Sequence, residues 1–225
     1  MIYAALGDSI TYGYSATSDE HTYVSRIQAS LAKQQQPVNL YLHAKPGWTS
    51  RQLLKSLAKT PSCIWEEAKV ITLLVGGNDM LRAAPWLLDS NPGHMVKVAD
   101  AFYENITEII QLVRRPHSVL ILGTVYNPFP NSLMCEEYTD VLNRSIRLAA
   151  EREGVVLADI RRTFRNRESK LIEGYRRGQL RDMRLRGNPI HPNDAGHALI
   201  ARQFLVAYHR SLAKKRGTRR KMRAR

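Results

Sequence analysis

The sequence predicts an α/β domain in which one parallel five-stranded sheet carries helices on both faces. Two observations predict it. Short apolar runs rich in Val, Ile, Leu and Ala alternate with longer segments whose apolar residues recur at helical spacing. Three of those runs stop at turns that contain glycine, namely Gly7, Gly47 and the pair Gly76-Gly77. Strands alternating with helices imply right-handed crossovers and hence a parallel sheet. A chain of 225 residues is long enough for one such domain with a sizeable core.

The elements follow in order. Residues 2–6 form an apolar first strand stopped by Gly7. Tyr23, Ile27 and Leu31 mark one face of a helix over 22–34, and 38–42 reads as the second strand. Thr49-Ser50-Arg51-Gln52 matches a capping box, with Leu53, Leu54 and Leu57 behind it. The third strand is 70–75. A long amphipathic helix over 96–113 ends at Arg115-Pro116. The fourth strand is 118–122, a helix over 133–152 stops at Gly154, and 155–158 is the fifth strand. A last helix spans about 193–212. Five strands in this rhythm suit a flavodoxin-like three-layer α/β/α sandwich of order 2-1-3-4-5. Residues 161–186 fit no such rhythm: they hold ten Lys or Arg against three acids. A short helix over 166–175 fits there, and the stretch reads as an insertion that closes the domain rather than as a flap receiving an acidic substrate group.

Charge is uneven. The net charge is +14, and residues 214–225 carry eight positive and no negative side chains, leaving +6 for the rest. That segment lacks an apolar face. The domain is therefore placed at 1–212, and 213–225 is read as a disordered basic tail. Such a tail attracts anionic surfaces, nucleic acid or lipid, without specificity. No apolar run approaches the roughly 18 residues of a membrane span. No signal peptide is visible, and Cys63 and Cys135 show no metal or CxxC spacing. Two reduced thiols fit better than a disulfide, which points to the cytoplasm.

Ser9 sits just past the first strand, in Gly7-Asp8-Ser9-Ile10. Ligands of open α/β sheets bind beyond the carboxyl ends of strands. Taken alone, Asp8 and Ser9 equally fit plain helix capping. Three later segments break the tie: Ala44-Lys45-Pro46-Gly47-Trp48-Thr49 after the second strand, Gly76-Gly77-Asn78-Asp79 after the third, and Asn188-Pro189-Ile190-His191-Pro192-Asn193-Asp194-Ala195-Gly196-His197 near the end. With these blocks in this order, the chain resembles the SGNH hydrolases, also called GDSL esterases and lipases. The four letters fall on Ser9, Gly47, Asn78 and His191, and the resemblance runs from residue 2 to about 210.

Ester hydrolysis needs a nucleophile, a proton acceptor and donors for the developing oxyanion. Ser9 is the candidate nucleophile and His191 the candidate base. The oxyanion donors would be the backbone N–H of Ser9, the backbone N–H of Gly47 and the side-chain amide of Asn78. Gly47 is otherwise an ordinary turn glycine, and Asn78 a turn or cap residue. A histidine base of ordinary acidity predicts activity declining in acid between pH 8 and 5. His197, Asp8 and Asp79 are assigned to packing, capping and loop hydrogen bonds. One position departs from the family. Its usual Asp, three residues before the histidine, is Asn188 here. Asn188 orients His191 through its amide oxygen, or a backbone carbonyl does so in a Ser-His dyad, or Asp182 or Asp194 substitutes; the first two are favoured.

The resemblance implies a small-molecule ester substrate: a short acyl ester, a lysophospholipid or an acetylated sugar. Trp48 and Tyr12 flank the expected loops, either to stack on a sugar or acyl group or to pack beside the sheet edge. The histidines show no metal-binding spacing, and no metal or other cofactor is called for. A carbohydrate-binding or otherwise non-catalytic module on a decayed scaffold is the rival class, with Asn188 in its favour. A nucleic-acid-binding protein rests on the tail alone.

Overall fold

The computed structural model describes residues 1–34, 37–87, 92–184 and 187–223. Strand β1 (Ile2–Gly7) leads through α1 (Ser9–Tyr12) and α2 (Tyr23–Ala32) to β2 (Asn39–Ala44). Helices α3 (Ser50–Leu57) and α4 (Ser62–Glu67) return the chain to β3 (Ala68–Leu74). Next come α5 (Gly77–Leu87), α6 (Pro92–Val113), β4 (Val119–Gly123), α7 (Leu133–Arg152) and β5 (Val156–Ala158). Helices α8 (Ile160–Phe164), α9 (Glu168–Leu171) and α10 (Asp194–Arg223) complete the chain.

The five strands are all parallel, in the order β2-β1-β3-β4-β5, as the sequence predicts. The walk along the sheet reverses direction at β2. With right-handed crossovers, the β1–β2 connection therefore lies on one face and the later ones on the other. The packing agrees: α2 lies against α10, while α6 packs on α3, α5 and α7. Tyr23 of α2 stacks on Phe204 of α10 at 5.5 Å between ring centroids. Burial of Leu6, Ile71, Leu73, Ile121 and Leu122 in the middle layer explains why these strands read as continuous apolar runs.

The reversal opens a crevice beyond the ends of β1 and β3, the switch point where such sheets bind ligands. The residues there are tightly placed. Gly7 pairs with Ala44 on one side and Leu74 on the other. A Cβ at Gly7 would stand 2.1 Å from Thr11 Oγ1 and 2.2 Å from the Leu74 carbonyl oxygen, so only glycine fits. Thr11 Oγ1 in turn lies 2.8 Å from the Tyr23 hydroxyl and donates to that Leu74 carbonyl at 3.3 Å. The strand-to-helix turn that carries Ser9 is thereby fastened to the neighbouring strand and to α2.

Several expectations change. Helix α5 is missing from the sequence prediction, because a proline at 85 argues against a helix there. Helix α6 starts at Pro92 rather than at 96, and β2 sits one residue later and ends at Ala44. The run read as a disordered tail is helical to Arg223. Lys and Arg are good helix formers, and a packed helix leading into them removes the cost of nucleation. The basic stretch at 161–186 forms two short helices and a 3₁₀ turn, Leu180–Asp182. Within it, Arg161 is buried in an ion pair with Glu136 of α7. Cys63 is exposed and Cys135 buried, neither of them bonded to the other. Among the described residues, no helix is long and apolar enough to cross a membrane.

Candidate active site

Ser9 is the first residue of α1, so its backbone N–H has no acceptor within the helix. Asp8 caps that helix, its Oδ1 accepting from Ile10 N at 3.0 Å. The buried Ser9 side chain meets the ring of His191: Oγ and Nε2 are 3.0 Å apart, across 182 residues of sequence. His191 stands on the loop before α10. Its carbonyl accepts from Glu173 N at 2.9 Å, and the next residue, Pro192, bridges to Ile172. Asn193 N donates to the Leu171 carbonyl at 2.9 Å and Asn193 Nδ2 to the Lys170 carbonyl at 3.1 Å. The basic insertion therefore closes the domain by bracing the histidine loop.

A cavity of about 50 Å³ opens beside the pair. Asp8, Ser9, Asn78 and His191 contribute its polar edge; Leu74, Val75, Met80, Val125 and Tyr126 make its walls apolar. Asn78 lies in the first turn of α5 and donates one amide hydrogen to the Trp48 carbonyl at 2.9 Å. Its second amide hydrogen has no partner among the described residues. Gly47 is not part of the cavity lining; it belongs to the adjoining turn 45–48, closed by Trp48 N to the Lys45 carbonyl at 3.2 Å. Pro46 and Gly47 occupy the central positions of that turn, and Gly47 has φ +84°, the type II pattern. Among the described residues the Gly47 N–H has no acceptor, and nothing lies within 4 Å of where a Cβ would stand. Trp48 tilts against His43 at 5.5 Å and Tyr12 is exposed; neither lines the cavity.

Asn188 does not reach the imidazole. Its Oδ1 accepts from Arg184 N at 2.6 Å, and among the described residues no hydrogen bond joins it to His191. The two alternative acids are occupied as well. Asp182 accepts from the backbone of Arg177 and Gln179, at 2.9 and 3.0 Å. Asp194 accepts from Thr17 N and Oγ1 and pairs with His21 at 2.9 Å. Among the described residues, the side-chain hydrogen bond of His191 is the one to Ser9; none joins its Nδ1 to Asn188, to either acid or to the backbone carbonyl that a dyad would use. Asp79 takes the structural role expected of it: its carboxylate accepts from Ser50 N and Ser50 Oγ, at 2.9 and 2.6 Å, tying α5 to α3.

Burial pushes the His191 imidazole down to about 4, and the neighbouring His197 pushes the same way. For Nε2 to accept from Ser9, the proton of the neutral ring sits on Nδ1. Burial raises the Asp8 carboxyl to about 7, with the charge of Asp79 adding to it. A carboxyl near 7 is divided between its two forms at neutrality and loses its charge only as the pH falls further. A well-solvated imidazole would give a decline between pH 8 and 5; burial moves the expected loss to lower pH. Activity on a neutral aryl ester should persist in acid and fall with a midpoint near 4. A pH profile of kcat/KM checks this; a midpoint at the ordinary imidazole value of about 6.5 would mean a well-solvated ring.

Three neighbours were not singled out as site residues in sequence. Tyr14 lies against the His191 ring, and His197 holds the Tyr14 carbonyl. Tyr126, just past the end of β4, donates its hydroxyl to the Ile190 carbonyl at 2.6 Å. Tyr126 had a usable signal, since it follows a strand end just as Ser9 and Asn78 do.

A serine hydroxyl facing an imidazole at the carboxyl edge of a doubly wound sheet, with amide donors beside it, defines a hydrolase class of site. The chain belongs to the GDSL-like lipase/acylhydrolase family, whose profile matches residues 5–199. It is 24% identical over 216 residues to the spore germination lipase LipC of Bacillus licheniformis, a match covering 91% of this chain and 95% of that one. Among solved structures it is similar to the lipase Lip_vut3 from goat rumen metagenome, with a TM-score of 0.75, 22% identity, and coverage of 92% and 97% of the two chains. Axe2, an acetylxylan esterase from Geobacillus stearothermophilus, gives a TM-score of 0.66 at 18% identity, covering 92% and 93%. At such identities the structural likeness shows the fold.

Proposed function

We propose that this chain is a serine esterase that hydrolyses carboxylic esters of short acyl groups. The observation that carries it is the 3.0 Å approach of Ser9 Oγ to His191 Nε2 at the edge of a small apolar cavity. Ser9 Oγ attacks the ester carbonyl while Nε2 takes its proton. The carbonyl oxygen, now an oxyanion, accepts from the N–H groups of Ser9 and Gly47 and from the Asn78 amide. One such donor typically contributes about 2.7–4 kcal/mol to the transition state. His191 then gives the proton to the leaving alcohol, which departs and leaves an acyl group on Ser9. Water repeats the sequence, losing its proton to His191 and releasing the acid.

Cavity size sets the acyl group. The cavity of about 50 Å³ is small. A short acyl group such as acetyl or butyryl suits it, and the apolar walls favour a hydrocarbon chain over a polar substituent. Axe2 carries an acetyl ester in its name; LipC and Lip_vut3 are named as lipases. A panel of p-nitrophenyl acetate, butyrate and octanoate tests the proposal. The two short esters should exceed the octanoate in kcat/KM by at least about tenfold, a difference of about 1.4 kcal/mol. A preference for octanoate would place the acyl chain elsewhere, and no turnover of any ester, without labelling by a fluorophosphonate, would end the esterase assignment.

A further inference from the structure

His191 is held without the carboxylate that the family usually places three residues before it. Asn188, Asp182 and Asp194 are all engaged with other partners. Among the described residues, the ring meets Tyr14 as well as Ser9. The two ring centroids are 4.5 Å apart with planes inclined by 39°. Tyr14 is 52% exposed, so this ring contact stands at the protein surface.

The backbone that presents Tyr14 is unusually constrained. Gly13 closes α1 at φ +102°, and the N–H of Tyr14 donates to the Ser9 carbonyl at 2.9 Å. Ser15, a non-glycine residue, follows at φ +66°, a conformation costing roughly 1–3 kcal/mol unless its surroundings hold it. The holding contact is visible. His197 of α10 is fully buried and donates from Nε2 to the Tyr14 carbonyl at 3.1 Å. Its Nδ1 accepts from Tyr23 N at 3.3 Å. One ring thus needs its proton on Nε2 and a bare Nδ1, the neutral form that its burial also favours. The nucleophile, the tyrosine over the base and the first turn of α2 are joined through one buried imidazole.

We propose that Tyr14 is a positioning residue for His191: its ring, carried on a backbone that His197 holds at the Tyr14 carbonyl, packs on the imidazole and sets the plane that a carboxylate would otherwise set. A base misplaced by about 1 Å can lose about 100-fold in rate, so one packed face has measurable value. The effect belongs to the chemical step, because Tyr14 touches the base and does not line the cavity. It also shields that face from water. The ionisable groups around His191 are His197 on α10, Asp8 before α1 and Tyr126 after β4. Tyr14 adds a ring without adding charge.

This inference rests on the esterase reading, so wild-type turnover and fluorophosphonate labelling of Ser9 are measured first; their failure would reject that reading by itself. With an active wild type, kcat, KM and pH profiles are compared for Tyr14→Phe and Tyr14→Ala on p-nitrophenyl acetate. Phenylalanine keeps the packed face, so its kcat should stay within about threefold of wild type. Alanine should lower kcat by about 10–100-fold with KM nearly unchanged. Its acid limb should also move up toward the ordinary imidazole range as water reaches the ring. Because Tyr14 is half exposed, both variants should fold, and matching melting temperatures check it. Wild-type kcat with an unmoved acid limb in the alanine variant would overturn the proposal. So would equal losses in both variants, which would assign the effect to the hydroxyl, or a loss confined to KM, which would make Tyr14 a substrate contact.

Discussion

Ser9→Ala should lower ester hydrolysis by about 10⁴–10⁶-fold while leaving the fold intact. Both halves follow from where the side chain stands. Its hydroxyl makes one described contact, to His191, and a hydrogen bond of this kind contributes only about 0.5–1.5 kcal/mol to stability. The turn is held by other atoms: the Asp8 cap on Ile10 and the hydroxyl of Thr11 on Leu74 and Tyr23. Alanine changes none of these. Chemically, no second hydroxyl replaces it, because Thr11 is buried and committed to β3 and α2. Residual activity would come from the amide donors acting on a water attack. Hydrolysis of p-nitrophenyl acetate, a thermal melt and mass analysis of the fluorophosphonate-treated protein together check this. Undiminished turnover in a folded variant would remove Ser9 from the mechanism.

What could be read from the sequence, and what could not, divides along physical lines. Buried strands announce themselves by unbroken apolar runs, as in Val70-Ile71-Thr72-Leu73-Leu74-Val75, and their Gly turns mark where each ends. Alternation with helices then fixes topology through crossover handedness, so the sheet order and the meeting of Ser9, Asn78 and His191 at its edge were legible. The capping box at Thr49 and Gln52 was legible too, being a purely local contact. Helix α5 was not, since it begins at the glycine turn after β3 and carries a proline, both of which read as helix breakers. Nor was the orientation of Asn188. An amide near the end of a loop serves equally well facing an imidazole or a backbone N–H, and no local pattern decides for the N–H of Arg184. The clamp of Tyr14 by His197 joins residues 183 apart through one carbonyl, and no local pattern encodes it. The burial of His191, which pushes its imidazole down, was not legible for a related reason: burial is a tertiary property, and a motif carries no measure of it.

His191→Ala should be as damaging as the serine substitution, and the double variant Ser9→Ala/His191→Ala no worse than either alone. The pair acts as one unit. Without the imidazole the hydroxyl keeps its proton, and without the hydroxyl the imidazole has nothing to activate. Removing the second partner therefore costs nothing further. Kinetics on all three variants test it: a double variant slower by the product of the single losses would mean that the residues act independently. The same substitution carries a stability signature of definite sign. The folded imidazole sits near 4 and the unfolded one near its ordinary value of about 6.5, so the unfolded chain binds the extra proton between them. Wild-type stability contributed by this group is present above that window and is lost as pH falls through it. His191→Ala has no such proton to take up, so denaturant midpoints should decline less between neutrality and pH 4 in the variant. An identical decline would show that the ring is not buried in its neutral form. The shielding assigned to the surroundings of His191 would then fail, whatever its kinetics.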